Sequence, residues 1–263
     1  FKIYNNNMDK YVYLIPGGGL NDILCTIQST IHYCIRHNRI LLIDTTHSPY
    51  KINFSDYFDI EYTGIDIIYD LNKIKSKCIN RNYSIWPRCL NINIHNVLNG
   101  KIMKLLKYRK GCYHSYKNVV LILPKKTVKE DIILYIKCGG GNGFVLFKKI
   151  LLKPTIKDYC KKKYLLLSEK YLCLQIRNTD IKSDYEQLYE NNKDIIHSYP
   201  TIYIATDYKP CIDFFKSKEL PIFNFNTFPK NATRNLHFAN MDPDTKIKCV
   251  LCDIYIITMS DKL

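Results

Sequence analysis

The stretch from Tyr11 to Asp44 constrains the fold of this chain more than any other. Tyr11-Val12-Tyr13-Leu14-Ile15 is a continuous apolar run that Pro16-Gly17-Gly18-Gly19 brings to a stop. Leu20, Ile23, Leu24, Ile27, Ile31, Cys34 and Ile35 then fall on one face of a helix, with Asn21 or Asp22 suited to its N-cap or first turn. Ile40-Leu41-Leu42-Ile43-Asp44 is a second continuous apolar run. Strand, glycine turn, helix and strand make a βαβ unit, and such units build parallel sheets with right-handed crossovers. An α/β fold is therefore expected.

The same alternation returns later in the chain. Residues 48–100 are less regular, with weak strand signals from Ile65 to Tyr69 and a single Trp86, beside Pro87, that reads as core packing. Val119 to Pro124 is predicted as a strand, Lys137 to Phe144 as a flexible glycine turn, and Val145 to Leu152 as a helix. Pro154 to Lys163 reads as a connection followed by a polar helix, and the domain boundary is placed there, giving 1–155 and 156–263. The second half reads as a strand near Leu165 to Ile176, a helix from Tyr185 to His197 and a strand from Ile202 to Ala205. A helix from Pro210 to Lys218, a strand from Ile222 to Phe225 and an apolar helix from Lys246 to Met259 complete it. A length of 263 residues accommodates two domains with cores of their own.

A formal charge of +15 invites a polyanion partner. The lysines are scattered, however, and the chain is rich in Ile, Asn and Tyr as well as Lys. Compositional drift explains much of the charge, and a basic site for a small anion is the next reading. Eleven cysteines are an odd number spread along the chain, and Cys25, Cys34, Cys173 and Cys252 sit in apolar patterns. Buried thiols in a reducing compartment are expected rather than a disulfide scaffold. Cys249 and Cys252 have CxxC spacing with no second pair, so a zinc or redox site is not indicated. Sequons at Asn53, Asn82 and Asn231 are compatible with the secretory pathway. No apolar run has the length of about 18 residues that spans a bilayer. The sequence starts at Phe1 rather than methionine, which leaves an upstream signal or anchor open.

Parallel strands place ligands beyond their C-terminal ends. Gln175-Ile176-Arg177-Asn178-Thr179-Asp180 lies just past the apolar run Tyr164 to Cys173, and an arginine there can grip a phosphate with two parallel hydrogen bonds. An ion pair of Arg177 with Asp180 is the plain alternative. Ile202-Tyr203-Ile204-Ala205 ends likewise in Thr206-Asp207, where Asp207 is a ligand group or the cap of the next helix. Asp253 interrupts the apolar run Val250 to Ile257, where a carboxylate is costly unless it is paired or faces a ligand. The first glycine cluster offers backbone N–H groups and a helix N-terminus to an anion, or simply makes a tight turn. It has neither the spaced glycines of a dinucleotide fingerprint nor the GK[ST] of a P-loop.

In order and spacing these segments resemble the fucosyltransferase superfamily that includes the α1,2-, α1,6- and protein O-fucosyltransferases. The matches are the strand-to-helix turn ending Gly19-Leu20-Asn21-Asp22, and Gln175-Ile176-Arg177-Asn178-Thr179-Asp180 against the family's H-x-R-x-x-D. Ile204-Ala205-Thr206-Asp207 and Cys252-Asp253-Ile254-Tyr255, followed by Met259-Ser260-Asp261, complete the set. The resemblance implies a GT-B fold, two Rossmann-like domains with parallel sheets facing a central cleft, and metal-independent inverting transfer of fucose from GDP-fucose to a glycan or protein hydroxyl. It implies no metal or other cofactor, and a donor site built from Gly18, Gly19, Asn21, Gln175, Arg177, Asp180, Asp207, Asp253 and Ser260. Arg177 would bind the β-phosphate and stabilise charge on the leaving GDP, Asp253 would hydrogen-bond guanine, and Asn21 would approach the pyrophosphate or sugar. Asp22 is the expected general base, with His47 after the second strand as a further possibility. Gln175 stands where the family has histidine, and the sequence ends shortly before the family's serine-rich phosphate-binding segment. An incomplete C-terminal domain, or a non-catalytic sugar-nucleotide-binding protein, is the reading those departures leave open.

Two other classes compete. A metal-dependent GT-A glycosyltransferase would hold a divalent ion with an Asp-x-Asp pair, and Asp242-Pro243-Asp244 has that spelling, at a place where turn and cap roles are common. A basic nucleic-acid-binding module could use the 22 tyrosines and 11 phenylalanines for stacking, but no recognised motif groups them with arginines.

Overall fold

β1 (Tyr11–Gly17) is buried at every position, as a strand inside a parallel sheet must be. It pairs in parallel with β2 (Ile40–Ile43), Tyr11 opposite Ile40 and Leu14 opposite Ile43, and α1 (Leu20–His37) joins them. Leu20, Ile23, Leu24, Ile27, Ile31 and Cys34 form the buried stripe of α1, each large aliphatic contributing on the order of 1.5–3 kcal/mol when fully buried. Ile35, expected on that stripe, is instead 47% exposed. Asn38, in the left-handed conformation with φ 47°, ends the helix. An aspartate at Ile27 or Ile31, both with no exposed surface, would break this packing.

The computed structural model describes residues 9–79, 81–104, 106–109, 112–115, 120–139, 144–178, 181–229 and 239–260. They fall into two compact units, Phe1–Leu152 and Lys153–Leu263. In the first unit β3 (Phe58–Ile60), β4 (Ile67–Ile68), β5 (Ile85–Trp86), β6 (Leu106–Arg109), β7 (Cys112–Ser115), β8 (Ile132–Cys138) and β9 (Ile150–Leu152) follow β2. They are interspersed with α2 (Leu71–Cys78), α3 (Ile94–Leu98), α4 (Lys101–Lys104) and α5 (Phe144–Phe147). The main sheet runs β4-β2-β1-β8-β7-β6, with β5 pairing β8 beside that path. β4, β2, β1 and β8 are parallel, whereas β6 and β7 form an antiparallel hairpin that meets β8 at Cys112 opposite Lys137.

Three elements of the first unit depart from the sequence pattern. The central partner of β1 is β8, paired from Tyr11 opposite Ile132 to Gly17 opposite Cys138, although the apolar run Ile132 to Ile136 carries no strand prediction. Among the described residues of the predicted strand Val119 to Pro124, only Val120 makes a bridge. Leu121 packs with no exposed surface and accepts one backbone bond from Ile136, while Pro124 has no N–H to extend a ladder. The predicted helix Val145 to Leu152 stops at Phe147, because Ile150–Leu152 pairs antiparallel with Phe58–Ile60. A tertiary partner there overrides local helical periodicity.

In the second unit α6 (Pro154–Tyr164) leads to β10 (Leu172–Ile176), α7 (Tyr185–Asn191), α8 (Lys193–His197), β11 (Ile202–Thr206), α9 (Lys209–Lys216), β12 (Ile222–Phe223) and α10 (Pro243–Thr258). The sheet order is β10-β11-β12, all parallel, with Leu172 opposite Ile202 and Ile176 opposite Thr206. β10 begins at Leu172 rather than near Leu165: Leu165 and Leu166 belong to the exposed turn that closes α6, their N–H groups bonded to the carbonyls of Lys161 and Lys163. Leu172, Ile176, Ile202, Ile204, Ile212 and Phe215 form the core with Tyr189 and Ile196. α10 packs on α6, and the Tyr171 hydroxyl donates to the Ile256 carbonyl at 2.6 Å. Because all three strands run the same way, Ile176 and Thr206 end side by side.

Candidate functional site

In the second unit, a hydrogen-bonded cluster lies beyond those two strand ends. Arg177 comes directly after β10 and is exposed, and its carbonyl accepts from the Ser183 hydroxyl at 2.7 Å. Asn178, only 6% exposed, anchors the loop: its N–H donates to Asp207 Oδ1 at 3.0 Å, its Oδ1 accepts from the Ser183 N–H, and its carbonyl accepts from Lys182 Nζ. Asp207 directly follows β11, so the bond from Asn178 ties the two strand ends together. Gln175, one position before the end of β10, is exposed.

The chain leaving β12 adds to this cluster. Asn224 Nδ2 donates to the Ile204 carbonyl at 2.7 Å and Asn226 Nδ2 to the Thr206 carbonyl at 3.1 Å, so side-chain amides continue the edge of β11 after the backbone ladder stops. Asn226 Nδ2 also donates to Asp253 Oδ2 at 2.8 Å, and the buried Tyr203 hydroxyl donates to Asp253 Oδ1 at 2.6 Å. Asp253 is thus the paired carboxylate that its place in an apolar helix required. Burial pushes its pKa up to about 7 against the lowering effect of Asn226 and Tyr203, and the nearby charge of Asp207 adds to the rise. Burial, with the charge of Asp253 beside it, pushes the Tyr203 phenol far up as well. The Oδ1 atom of Asn226 is buried and, among the described residues, has no hydrogen-bond partner.

Other expected members lie apart or outside the described residues. Ser260 directs its hydroxyl to the Ile257 carbonyl at 2.9 Å, closing α10. Asp180 and Asp261 lie outside the described residues, as do the glycines at positions 140, 141 and 143. Asp242 caps α10, its Oδ2 accepting from the N–H and hydroxyl of Thr245, while Asp244 pairs with Lys248 at 2.6 Å. The Asp-x-Asp spelling is therefore a helix start, and among the described residues no cluster of three metal-ligating side chains occurs.

In the first unit the strand ends carry two arrangements. Gly18 has φ +90°, a conformation glycine reaches without strain, and it turns the chain from β1 into α1. Asp22 Oδ2 accepts from the Gly19 N–H at 3.0 Å. A Cβ built on Gly18 would fall 2.4 Å from Asp22 Oδ2, and one on Gly139, at the end of β8, 2.9 Å from Asp22 Oδ1. The Asp22 carboxylate is therefore seated between two glycines, where it meets the N–H and the helix dipole that an incoming anion would otherwise use. Asn21 beside it is exposed.

The second arrangement centres on Asp44, 1% exposed, at the end of β2. Its Oδ1 accepts from the Thr46 N–H at 2.9 Å and the Thr46 hydroxyl at 2.6 Å, and its Oδ2 from the Tyr13 hydroxyl at 2.7 Å and His47 Nδ1 at 2.8 Å. Burial alone would raise its pKa, but the donors from His47, Thr46 and Tyr13 together hold it below the usual carboxylate value. The hydrogen bond to Asp44 raises the pKa of His47, opposed by partial burial and by the charge of Lys75. Sequence reasoning singles out His47 without this partner, although Asp44 lies only three residues earlier.

No protein-family model matches this sequence, and neither does any curated protein. Solved structures do match its fold. A NodZ alpha-1,6-fucosyltransferase soaked with GDP-fucose aligns over 96% of this chain and 86% of its own, with a TM-score of 0.60 and 16% identity. The NodZ enzyme co-crystallized with GDP gives 0.59 at 17% identity over the same shares. The fucosyltransferase NodZ from Bradyrhizobium gives 0.58 at 17% identity, also over 96% and 86%. The fold of this chain, α/β with parallel sheets, is that of these GT-B fucosyltransferases.

Proposed function

We propose that this protein is a glycosyltransferase that takes its sugar from a GDP-sugar, GDP-fucose foremost, and passes it to a hydroxyl of a glycan or glycoprotein. The observation that carries this reading is the cluster at the C-terminal ends of β10 and β11. There Arg177 and Asp207 leave adjacent parallel strands, and Asp253 stands behind them with partners on both oxygens. It has the parts a nucleoside diphosphate needs: a guanidinium for phosphate, and carboxylates for the N–H groups of a purine edge. The likeness in fold to enzymes crystallised with GDP and GDP-fucose supports the choice of nucleotide.

In this reading Arg177 stabilises the negative charge that gathers on the diphosphate as the bond from sugar C1 to phosphate oxygen breaks. A guanidinium fixed near that oxygen lowers the barrier because it binds the transition state more strongly than the ground state. Such a donor site works without a metal ion. Asn21 and Ser260 belong to the reading through the resemblance in sequence alone. The buried cysteines Cys34, Cys173 and Cys252 favour a reducing compartment.

A thermal-shift panel of GDP, UDP and their sugars against wild type and Arg177→Ala tests it. Selective stabilisation by GDP ligands, lost in the variant, is the expected result. Indifference of the wild type to every nucleotide would sink it.

A further inference from the structure

Away from the nucleotide cluster, the second unit carries an apolar patch that the donor site does not use. Leu165 and Leu166, in the turn that closes α6, are 65% and 58% exposed, and Met259, at the end of α10, is 47% exposed. Exposed leucines that stand singly call for no explanation. Here two are adjacent, and a third large apolar side chain lies at the same end of the unit. α6 and α10 pack together, the Tyr164 and Tyr255 rings are 6.3 Å apart, and Met259 follows Tyr255 by one helical turn. The Leu165 N–H bonds to the Lys161 carbonyl, so helical spacing still holds there and the two side chains share a face.

The charge around this knob is one-sided. Lys157, Lys161, Lys162 and Lys170 are exposed, and among the described residues none of them takes an ion pair. Lys163 lies over the Phe225 ring at 5.3 Å. The acidic residues of the same segment are Asp158 and Glu169, which the lysines outnumber. A second copy of the chain would bring like charges together, which opposes self-association. A specific protein interface takes about 20–30 residues a side, far more than three apolar side chains supply. A bilayer with acidic lipids needs no matching shape. Lysines reach its anionic headgroups while leucines enter the acyl boundary, and a tyrosine such as Tyr164 suits the level between. The patch also lies at the end of the unit where β10 begins, because the Tyr171 hydroxyl, just before β10, donates to the Ile256 carbonyl. Arg177 and Asp207 leave the opposite ends of β10 and β11, so contact at the patch leaves them uncovered.

We propose that Leu165, Leu166 and Met259, with Lys157, Lys161 and Lys162, form a docking surface that holds this protein reversibly on bilayers containing anionic lipids. It is independent of the GDP-sugar reading.

The test is co-sedimentation of the full chain with vesicles of phosphatidylcholine alone and of a phosphatidylcholine–phosphatidylserine mixture. Wild type should bind the mixture, release as salt rises, and ignore phosphatidylcholine. Leu165→Ser with Leu166→Ser should lose at least about tenfold in affinity. Lys161→Gln with Lys162→Gln should lose about 30-fold. All four side chains are exposed, so thermal melts should not change. Lys125→Gln with Lys126→Gln, an exposed pair in the first unit, removes the same charge and should stay close to wild type. A wild type that binds neither vesicle, or both equally, overturns the proposal, as does a serine variant that binds like wild type. A control pair that weakens binding as much as Lys161 and Lys162 overturns it in favour of diffuse charge. Self-association that needs the leucines, with vesicles left unbound, assigns the patch to a second copy instead. No step reads GDP binding, so the failure of either reading leaves the other standing.

Discussion

Asp44 and Asp253 are the same pair of side chains built twice, with opposite results. Asp44 is buried and Asp253 half-buried, and each accepts from a tyrosine on a sheet strand of its own unit, Tyr13 of β1 at 2.7 Å and Tyr203 of β11 at 2.6 Å. Asp44 then gains the Thr46 N–H, the Thr46 hydroxyl and His47, and its pKa falls. Among the described residues Asp253 gains only the Asn226 amide; it faces the charge of Asp207, and its pKa climbs to about 7. Burial raises both; the number of donors decides which stays charged. The first site holds a permanent anion that can orient a histidine, whereas the second holds a carboxyl whose charge a ligand with N–H donors would help create.

The largest expected effect separates the two directly. Asp44→Asn turns an NH2 group toward donors and removes the His47 partner, so unfolding free energy should drop by about 3–5 kcal/mol, the cost of breaking a buried ionic contact. Asp253→Asn keeps the shape of a group that is partly neutral near pH 7, and its amide can donate to the Tyr203 oxygen while its carbonyl accepts from Asn226. A loss of about 1 kcal/mol is expected. Urea titration of the intact chain measures both, and equal losses would break the contrast.

The two sites were not equally legible in the sequence. β1, α1 and β2 could be read because their apolar positions repeat over many residues, and Asp253 could be read as paired because a bare carboxylate does not survive in an apolar helix. Its partners could not be named. Tyr203 lies 50 residues away and Asn226 27, and only the parallel alignment of β11 and β12 beneath α10 brings them together. β8 illustrates the same limit: Ile132 to Ile136 and Val119 to Pro124 are both short apolar runs, and long-range pairing with β1 selects the first. Asp44 and His47, by contrast, lie three residues apart at a strand end, and that spacing was a visible signal.

A smaller effect comes from the pKa of Asp253. Its folded value, about 7, lies above the ordinary 3.8, so the folded state binds the extra proton between those limits. The stability it contributes is complete below about pH 4 and is lost as pH rises through about 7, with a slope of at most about 1.4 kcal/mol per pH unit. Asp44, depressed, works the other way: its contribution is present above the ordinary carboxylate value and is lost in acid as pH falls through its folded value. Between about pH 5 and 8 the wild type should therefore lose stability that Asp253→Asn does not lose. Parallel thermal melts of the two proteins over that range decide it, and curves with the same pH slope would remove Asp253 from the account.

The finest test uses the two tyrosines as probes of charge. A hydrogen bond to an ionised carboxylate contributes about 1.5–3 kcal/mol and one to a neutral group about 1 kcal/mol. Tyr13→Phe should then cost the same at pH 5.5 and pH 8, because Asp44 is an anion at both. Tyr203→Phe should cost about 1 kcal/mol at the lower pH, where Asp253 is protonated, and roughly 1 kcal/mol more at the higher, where it is charged and left with Asn226 alone. Denaturation of both variants at the two pH values gives a difference of differences in which the cavity left by each missing hydroxyl cancels. A pH-dependent cost at Tyr13, or a constant one at Tyr203, would mean that donor number does not set the charge of these two aspartates.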